Sequence, residues 1–281
     1  MLAVALALAS AFSWGIADFA GGLTSRRLPA VVVLLGQQLA GGLICAAVIV
    51  LAAEALPSGR TVWLSLLAGL AGALALGAFY RALAVGTMSI VAPISASGVT
   101  VPVVAGIAGG DRPSVLQGFG IAVIVAGVML ASREVHEEGE EGVTASRQSI
   151  VLALFAAVSF GVYFTLTDAV AEDSVLWLLL LGRAAAITVL VPALLLRPPA
   201  TRPQRRDVAA LAAIGALDLA ATGLYALATT EGLLSVVAVV GALYPVATVL
   251  LARWLLKERL RGVQRAGVVL AFAGVAAVAA G

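Results

Sequence analysis

The two halves of this chain repeat each other along their apolar segments. Ten such segments run between about Leu2 and Ala280, and residues of the first five recur 146 positions later in the second five, or 147 after one inserted residue. Because each half has an odd number of segments, the second half is predicted to enter the membrane upside down relative to the first. The recurring positions include Leu6/Leu152, Ala11/Ala157, Ser13/Ser159, Gly15/Gly161, Leu34/Leu180, Gly36/Gly182, Gly69/Gly215, Gly77/Gly223, Arg112/Arg259, Gln117/Gln264, Gly120/Gly267 and Gly127/Gly274.

The composition is that of a membrane protein. The chain is 62% hydrophobic and 11% charged, with a mean hydropathy of +1.10. A soluble chain usually has about 25% charged residues, so this one lacks the polar surface to cover a water-soluble core. Its net charge of +2, without a basic run interleaved with aromatic residues, predicts no nucleic-acid partner. The single cysteine, Cys45, excludes a disulfide framework.

The predicted fold is all-α and membrane-spanning, with ten transmembrane helices in two inverted five-helix repeats. Helices are expected because lipid offers backbone groups no partners, and about 20 residues suffice to cross. The first repeat covers residues 1–131 and the second covers residues 149–281. Between them, residues 132–148 contain five glutamates and His136, which indicates a solvated tether. The predicted spans are 2–22, 30–53, 62–80, 87–108, 114–131, 149–170, 174–196, 208–229, 232–256 and 263–281.

The distribution of basic residues predicts the orientation. Fourteen Arg and Lys residues lie in or beside the loops after spans one, three, five, seven and nine, whereas only Arg60 and Arg112 lie on the opposite side. The positive-inside rule therefore places both termini outside the cytoplasm. Sixteen of the seventeen basic residues are Arg, and this excess, with many Ala, Val and Gly residues, is typical of a GC-rich bacterial genome. The predicted location is the bacterial inner (plasma) membrane.

Polar side chains within the spans are the candidate site residues, because their burial in a bilayer is costly. Ser10, Trp14 and Asp18 step by four along the first span and share one face. The sixth span has a similar stripe, and both stripes are expected to point inward. The full candidate set for a substrate cavity is Trp14, Asp18, Gln37, Tyr80, Ser97, Tyr163, Thr167, Arg183, Asp218 and Tyr244.

Arg183 and Asp218 have two interpretations. Gln37 and Arg183 occupy the same place in the two halves, each after a Leu-Gly pair, and Asp218 lies at a similar depth to Arg183. The two charges could form a buried ion pair that only holds helices together. Alternatively, Arg183 could bind a substrate carboxylate with its planar guanidinium. Tyr80, Tyr225 and Tyr244 lie near span ends or kinks, so they could be interface anchors or cavity walls.

Prolines interrupt corresponding spans of the two halves. Pro93 and Pro102 lie in the fourth span and Pro245 lies in the ninth, and each removes a helical hydrogen bond. Hydroxyls such as that of Ser97 could satisfy the freed carbonyls. The broken helices could instead line the substrate cavity.

Glycine pairs predict close helix packing at the end of each half. In each pair, Gly120–Gly127 and Gly267–Gly274, the two glycines are two helical turns apart and share a face. Small residues on one face let membrane helices approach closely, although a hinge or a contact between protomers would use the same pattern.

Short motifs in both halves resemble those of EamA domains in the drug/metabolite transporter superfamily. They are Ser13-Trp14-Gly15 and Ser159-Phe160-Gly161 in the opening spans, with Gly110-Asp111-Arg112 and Lys257-Glu258-Arg259 before the closing spans. The resemblance covers nearly the whole chain. It implies ten helices around a central cavity and transport of small metabolites, often export of amino acids or related compounds.

The predicted function is secondary transport of a small metabolite by alternating access, in the direction of export. A flippase or carrier of an amphipathic or lipid-linked substrate and a multidrug exporter are the alternatives. The sequence has no H-E-x-x-H, no G-x-x-x-x-G-K-[ST] and no CxxC motif, which argues against an enzyme, and no cofactor is predicted.

The expected partners are a small-molecule substrate and the lipid bilayer, and the chain is expected to be a monomer or homodimer. Without a nucleotide-binding loop, transport must use a gradient or run downhill. Asp18 is the predicted proton-coupling site, unless its carboxylate only extends to the membrane interface.

Overall fold

A computed structural model describes residues 1–85, 91, 94–131, 147–198, 201, 203–255 and 262–281. Residues 132–146 of the predicted linker, with His136, lie outside the described residues, as do Pro93 and Lys257. The last two residues of the predicted linker, Arg147 and Gln148, belong to a helix. All regular secondary structure in the described part is helical. The α-helices are α1 (Leu2–Ser25), α2 (Ala30–Ala52), α3 (Gly59–Val85), α4 (Thr100–Gly109), α5 (Val115–Ala131), α6 (Arg147–Ala171), α7 (Val175–Leu196), α8 (Arg205–Thr230), α9 (Leu234–Gly241), α10 (Tyr244–Leu255) and α11 (Gly262–Ala280).

Seven of the helices in the described part are long and apolar enough to cross a membrane. These are α1, α2, α3, α6, α7, α8 and α11. Three apolar helical stretches are shorter than a typical span: Ile94–Gly109, Val115–Ala131 and Leu234–Thr248. They coincide with the predicted fourth, fifth and ninth spans, so the structure supports a multi-pass helical protein while the count of ten spans stays a prediction.

The fourth and ninth predicted spans are interrupted at corresponding depths. A 3-10 turn at Ser97–Val99 precedes α4, and a turn separates α9 from α10. Pro245 lies in the first turn of α10, where its missing N–H costs no hydrogen bond. The Ser97 hydroxyl donates to the Ile94 carbonyl at 2.6 Å, and the Thr100 hydroxyl donates to the Ser97 carbonyl at 2.8 Å. These hydroxyls therefore satisfy backbone carbonyl groups around the interruption.

The inverted repeat is visible in equivalent helix contacts. A Cβ added at Gly15 of α1 would lie 3.0 Å from the Tyr244 carbonyl oxygen and would also meet Ala247. A Cβ added at Gly161 of α6 would lie 2.6 Å from the Gly98 carbonyl oxygen and would also meet Val101. All three positions of the second contact differ from those of the first by 146 residues. The two halves thus pack the same small residue against the same interrupted segment of the opposite half.

Helices α5 and α11 pack against each other through four glycines. A Cβ at Gly120 would lie 2.8 Å from the Gly274 carbonyl oxygen, and one at Gly127 would lie 2.8 Å from the Gly267 carbonyl oxygen. The reciprocal distances are 2.8 Å for Gly274 and 2.7 Å for Gly267. The predicted glycine pairs therefore form a close antiparallel contact within one chain.

Both termini lie at the same end of the helix bundle. Gly232 approaches Ala3 near the start of α1, and Gly281 approaches Ser114 before α5. The backbone N–H of Ser235, at the start of α9, donates to the Asp111 carboxylate at 2.8 Å. The opposite end contains the Arg27–Asp207 ion pair, with a nitrogen–oxygen distance of 3.2 Å. We call these the terminal end and the basic end.

Candidate functional site

Asp18 lies on the inner face of α1 and is nevertheless accessible. Ala7, Ala11 and Trp14, which share its face of the helix, are all buried. Phe12 and Ile16 project from a different, outer face and are exposed. Asp18 lies on the same face of the helix and is itself exposed. An exposed side chain on the inner face opens on a gap between helices, which we call the cleft.

Asp18 interacts electrostatically with ionisable side chains on three other helices. Its carboxylate is within electrostatic range of Tyr80 on α3, Tyr244 on α10 and Asp218 on α8. Tyr80 and Tyr244 are also within range of each other. Among the described residues, the Asp18 side chain has no hydrogen bond and no ion pair. The cleft therefore brings together polar groups from both repeats around one unpaired carboxylate.

Arg183 and Asp218 form a buried ion pair between α7 and α8. The Arg183 Nη2 and Asp218 Oδ2 atoms are 2.9 Å apart, and the exposed fractions of the two side chains are 5% and 20%. Arg183 Nη1 also donates to the Leu179 carbonyl at 3.1 Å. A Cβ added at Gly41 would lie 2.6 Å from Arg183 Nε, so α2 needs glycine to make room for the guanidinium.

A short hydrogen-bond chain connects α6 with the backbone of α8 beside this ion pair. The Tyr163 hydroxyl donates to the Thr222 hydroxyl at 3.4 Å, and Thr222 donates to the Asp218 carbonyl at 3.0 Å. On α6 itself, the buried Thr167 hydroxyl donates to the Tyr163 carbonyl at 2.9 Å. Tyr163 therefore faces the charged pair, whereas the Thr167 hydroxyl is occupied by its own helix.

Aromatic rings pack beside the cleft on the side of the terminal end. The Trp14 ring centroid is 5.7 Å from Phe164, 5.8 Å from Tyr225 and 6.3 Å from Tyr244. Phe164 and Tyr225 are 5.0 Å apart, and Tyr163 is 5.2 Å from Phe164. Because Tyr225 is fully buried, it is a wall of the bundle interior and not an interface anchor.

The two repeats differ at the positions that form this region. Asp18 corresponds to Phe164 and Tyr80 corresponds to Ala226, each 146 residues later. Tyr80 is 41% exposed and Asp18 is exposed, whereas Phe164 and Ala226 are buried. At these two positions the residues of the first repeat are thus exposed and their equivalents in the second repeat are buried.

The structure brings seven of the ten candidate residues to this region. The seven are Trp14, Asp18, Tyr80, Tyr163, Arg183, Asp218 and Tyr244. Gln37 lies where α2 packs on α8, and its backbone carbonyl oxygen is 2.6 Å from a Cβ added at Gly215. The hydroxyls of Ser97 and Thr167 are bonded to nearby carbonyls.

Sequence reasoning did not include two aromatic residues in the candidate set. The pattern of polar residues does not single out Phe164, because its side chain is apolar. The sequence leaves Tyr225 as either an interface anchor or a cavity wall. The repeat itself contains a signal for Phe164, because it occupies the position of Asp18 in the second half. A carboxylate in one repeat and a large apolar ring at the equivalent position of the other indicate that the two repeats have different roles at this position.

Comparison with known proteins decides the family. The EamA-like transporter family model matches residues 1–133 and again residues 147–280. The chain belongs to the EamA-like transporter family. It is therefore a membrane transporter of the drug/metabolite transporter superfamily, and the family is one of transporters rather than of enzymes.

A solved structure supports the same fold for this EamA-like transporter. A crystal structure of another protein shares 18% of its residues with this chain, at a TM-score of 0.79, over 98% of this chain and 95% of that one. At that identity the likeness shows the fold alone. No curated protein matches this chain in sequence. In the described part of the chain, no three His, Cys, Asp or Glu side chains converge as a metal site would require.

Proposed function

We propose that this EamA-like protein exports a small metabolite, such as an amino acid or a related compound, across the bacterial plasma membrane. The supporting observation is that the exposed Asp18 and Tyr80 of the first repeat lie within electrostatic range of Tyr244 of the second, with Asp218 also within range of Asp18. A binding site between inverted repeats can be exposed to either side by rocking one repeat against the other. The proposal is therefore alternating access around this cleft.

Arg183 is the proposed contact for a substrate carboxylate. Its guanidinium is held by Asp218 and by the Leu179 carbonyl. A carboxylate would therefore have to take the place of Asp218, whose side chain is the more exposed partner. Such an exchange keeps the arginine paired, and the carboxylate that loses its partner is the less buried of the two groups.

Asp18 is the proposed coupling group. The sequence contains no nucleotide-binding loop, so the energy must come from a gradient or from the substrate concentration. An accessible carboxyl deep in the bundle can bind a proton on one side of the membrane and release it on the other. We propose that proton binding at Asp18 drives export.

Uptake into proteoliposomes tests the function. The purified protein is reconstituted and offered a panel of labelled amino acids, cationic drugs and lipid phosphates, with and without an imposed pH gradient. We expect saturable uptake of at least one small metabolite, accelerated by the gradient in the wild type and insensitive to it in Asp18→Asn. Protein-free liposomes are the control.

Two outcomes would count against the proposal. Transport of lipid phosphates alone would favour the flippase, which needs a lateral opening between helices for its amphipathic substrate. No saturable uptake of any compound, by protein that remains monodisperse, would contradict the transport function proposed for this site.

A further inference from the structure

We propose that a hydrogen bond from the Ser235 backbone N–H of the second repeat to the Asp111 carboxylate of the first holds the terminal end of the bundle closed. We call this contact the latch. The inference rests on the proposed transport function, because it names a contact that alternating access would make and release. Asp111 belongs to the Gly110-Asp111-Arg112 motif, for which the cleft provides no role. An acid also occupies the equivalent place of the second half, at Glu258, which lies outside the described residues.

The latch is a helix cap supplied by the opposite repeat. The Asp111 Oδ2 atom accepts the backbone N–H of Ser235, in the first turn of α9, at 2.8 Å. The first N–H groups of a helix have no partner within it, and the helix dipole favours a negative charge beside them. The N-cap position itself is Leu233, whose apolar side chain cannot accept a hydrogen bond. The start of α9 is therefore capped by a residue of the other repeat.

The helices around the latch are in close contact. All eight residues of α9 are buried, and Ser235 has no exposed surface. A Cβ added at Gly106 of α4 would clash with the Asp111 carboxylate and would lie 3.0 Å from the Ser235 nitrogen. A Cβ added at Gly232, just before α9, would lie 2.6 Å from Ala3 Cβ of α1. Helices of both repeats therefore enclose the latch.

The turn before α5 fixes Asp111 within the first repeat. Gly110 has a φ of 121°, in the region that favours glycine. The Asp111 backbone N–H donates to the Gly106 carbonyl at 2.9 Å, and Arg112 Nη1 donates to the Asp111 carbonyl at 2.9 Å. Because these contacts stay inside the first repeat, the latch breaks when α9 moves relative to α4.

The position of the latch makes it a contact that opens during transport. When two inverted repeats rock about a site between them, contacts near the middle persist and contacts at the two ends separate in turn. The latch joins the repeats at one end, and α9 is part of an interrupted span. Without Asp111, the closed state would keep a buried N–H group unpaired, whereas an open end would let water reach it. Loss of Asp111 should therefore favour opening of the terminal end.

Thiol labelling at position 235 tests the latch. The substitution Ser235→Cys keeps the backbone N–H, and the hydroxyl it removes has no hydrogen bond with the described residues. Cys45→Ala removes the native thiol, and the protein in lipid nanodiscs is treated with a sulfonated maleimide, which does not enter the bilayer. We expect slow labelling in this background and labelling at least tenfold faster with Asp111→Ala. Asp111→Asn keeps an acceptor oxygen but loses the charge, so its rate should be intermediate.

Two controls separate opening of the terminal end from a general loss of structure. Glu231→Ala removes an exposed carboxylate just after α8 that has no hydrogen bond or ion pair with the described residues, so the labelling rate should match the background. The native Cys45 is 1% exposed, and its thiol donates to the Leu176 carbonyl at 3.2 Å, between α2 and α7. In protein that retains Ser235 and Cys45, Asp111→Ala should leave the labelling of Cys45 slow.

Three results would overturn the inference. The first is an unchanged labelling rate at position 235 in folded Asp111→Ala protein, and the second is equal acceleration by Glu231→Ala. The third is equal acceleration at Cys45, because Asp111 would then only stabilise the fold. If Asp111→Ala does not fold, Asp111→Asn decides by the same criteria.

The outcome also separates this inference from the proposed function. Saturable uptake in proteoliposomes, together with unchanged labelling in Asp111→Ala, would reject the latch and leave the transport function standing. Faster labelling in Asp111→Ala, in a protein that moves no compound, would reject the transport function and leave the latch standing.

Discussion

Arg183 is held in a buried ion pair and is also the proposed contact for the substrate. Its guanidinium bonds to Asp218 and to the Leu179 carbonyl, and it fits between helices only because position 41 is glycine. Both groups in such a buried pair depend on each other, since loss of one partner leaves an unpaired charge that costs about 3–5 kcal/mol. A substrate carboxylate that replaced Asp218 would avoid this cost for Arg183 and would leave Asp218 without its partner.

The substitution Arg183→Lys tests which role dominates. Lysine keeps the charge but loses the planar fork, so we expect a folded protein whose transport rate falls about tenfold, corresponding to roughly 1.4 kcal/mol. The measurement is uptake of the identified substrate in proteoliposomes. The double variant Arg183→Gln with Asp218→Asn removes both charges. If it restored full transport, the guanidinium would have no part in substrate binding.

At the scale of elements, the inverted repeat places equivalent contacts at both ends of the bundle. At the basic end, Arg27 after α1 pairs with Asp207 at the start of α8. At the terminal end, the Thr61 hydroxyl at the start of α3 donates to Asp173 after α6 at 2.8 Å. Positions 27 and 173, like positions 61 and 207, are 146 apart. The same geometry has therefore been kept with different chemistry.

Glycine at position 120 is predicted to be necessary for the packing of α5 on α11. An added methyl group there would lie 2.7 Å from Val278 Cγ2 and 2.8 Å from the Gly274 carbonyl oxygen, which forces the helices apart. We expect Gly120→Ala to destabilise the protein by about 1–3 kcal/mol, measured as a lower thermal unfolding temperature.

Gly118→Ala is the matched control on the same helix. A Cβ at position 118 would meet nothing within 4 Å, and alanine favours the helix by up to about 1 kcal/mol over glycine. Its unfolding temperature should stay the same or rise. Equal destabilisation by both variants would show that the close contact between α5 and α11 is not what limits stability.

At the scale of the whole molecule, the structure places both termini at one end and Arg27, Arg197 and Arg205 at the helix ends opposite. Which end faces the cytoplasm stays a prediction from the positive-inside rule. The outer surface is strongly apolar, as a lipid-facing surface should be. Its exposed large residues include Leu43, Val50, Trp63, Val151, Leu195 and Trp254.

Reporter fusions test the orientation. A fluorescent protein that matures only in the cytoplasm, fused after Gly281, should stay dark in cells. The same reporter fused after Arg197, at the end of α7, should fluoresce, because that end is predicted to be cytoplasmic. Bright fluorescence from the Gly281 fusion, with the full-length protein in the membrane, would reverse the assigned orientation.

The sequence by itself determined the class, the family and most helix boundaries. The hydropathy and the 146-residue repeat predicted a helical membrane protein in two related halves, and the bounds of α1, α2 and α7 lie within a few residues of those predicted. It also predicted that the glycine faces of α5 and α11 pack closely, but not that these two helices pack on each other. These features are local or periodic, so they can be read without knowing which helices become neighbours.

Only the tertiary structure decided which side chains meet. Periodicity assigned Asp18 to an inner face, but it could not show that this face meets Tyr80 and Tyr244 while the equivalent Phe164 is packed against Trp14 and Tyr225. It also left open whether the Ser97 and Thr167 hydroxyls face a cavity or their own helices. The physical reason is that the period of a helix fixes the direction of a side chain, whereas its partners depend on how distant helices pack.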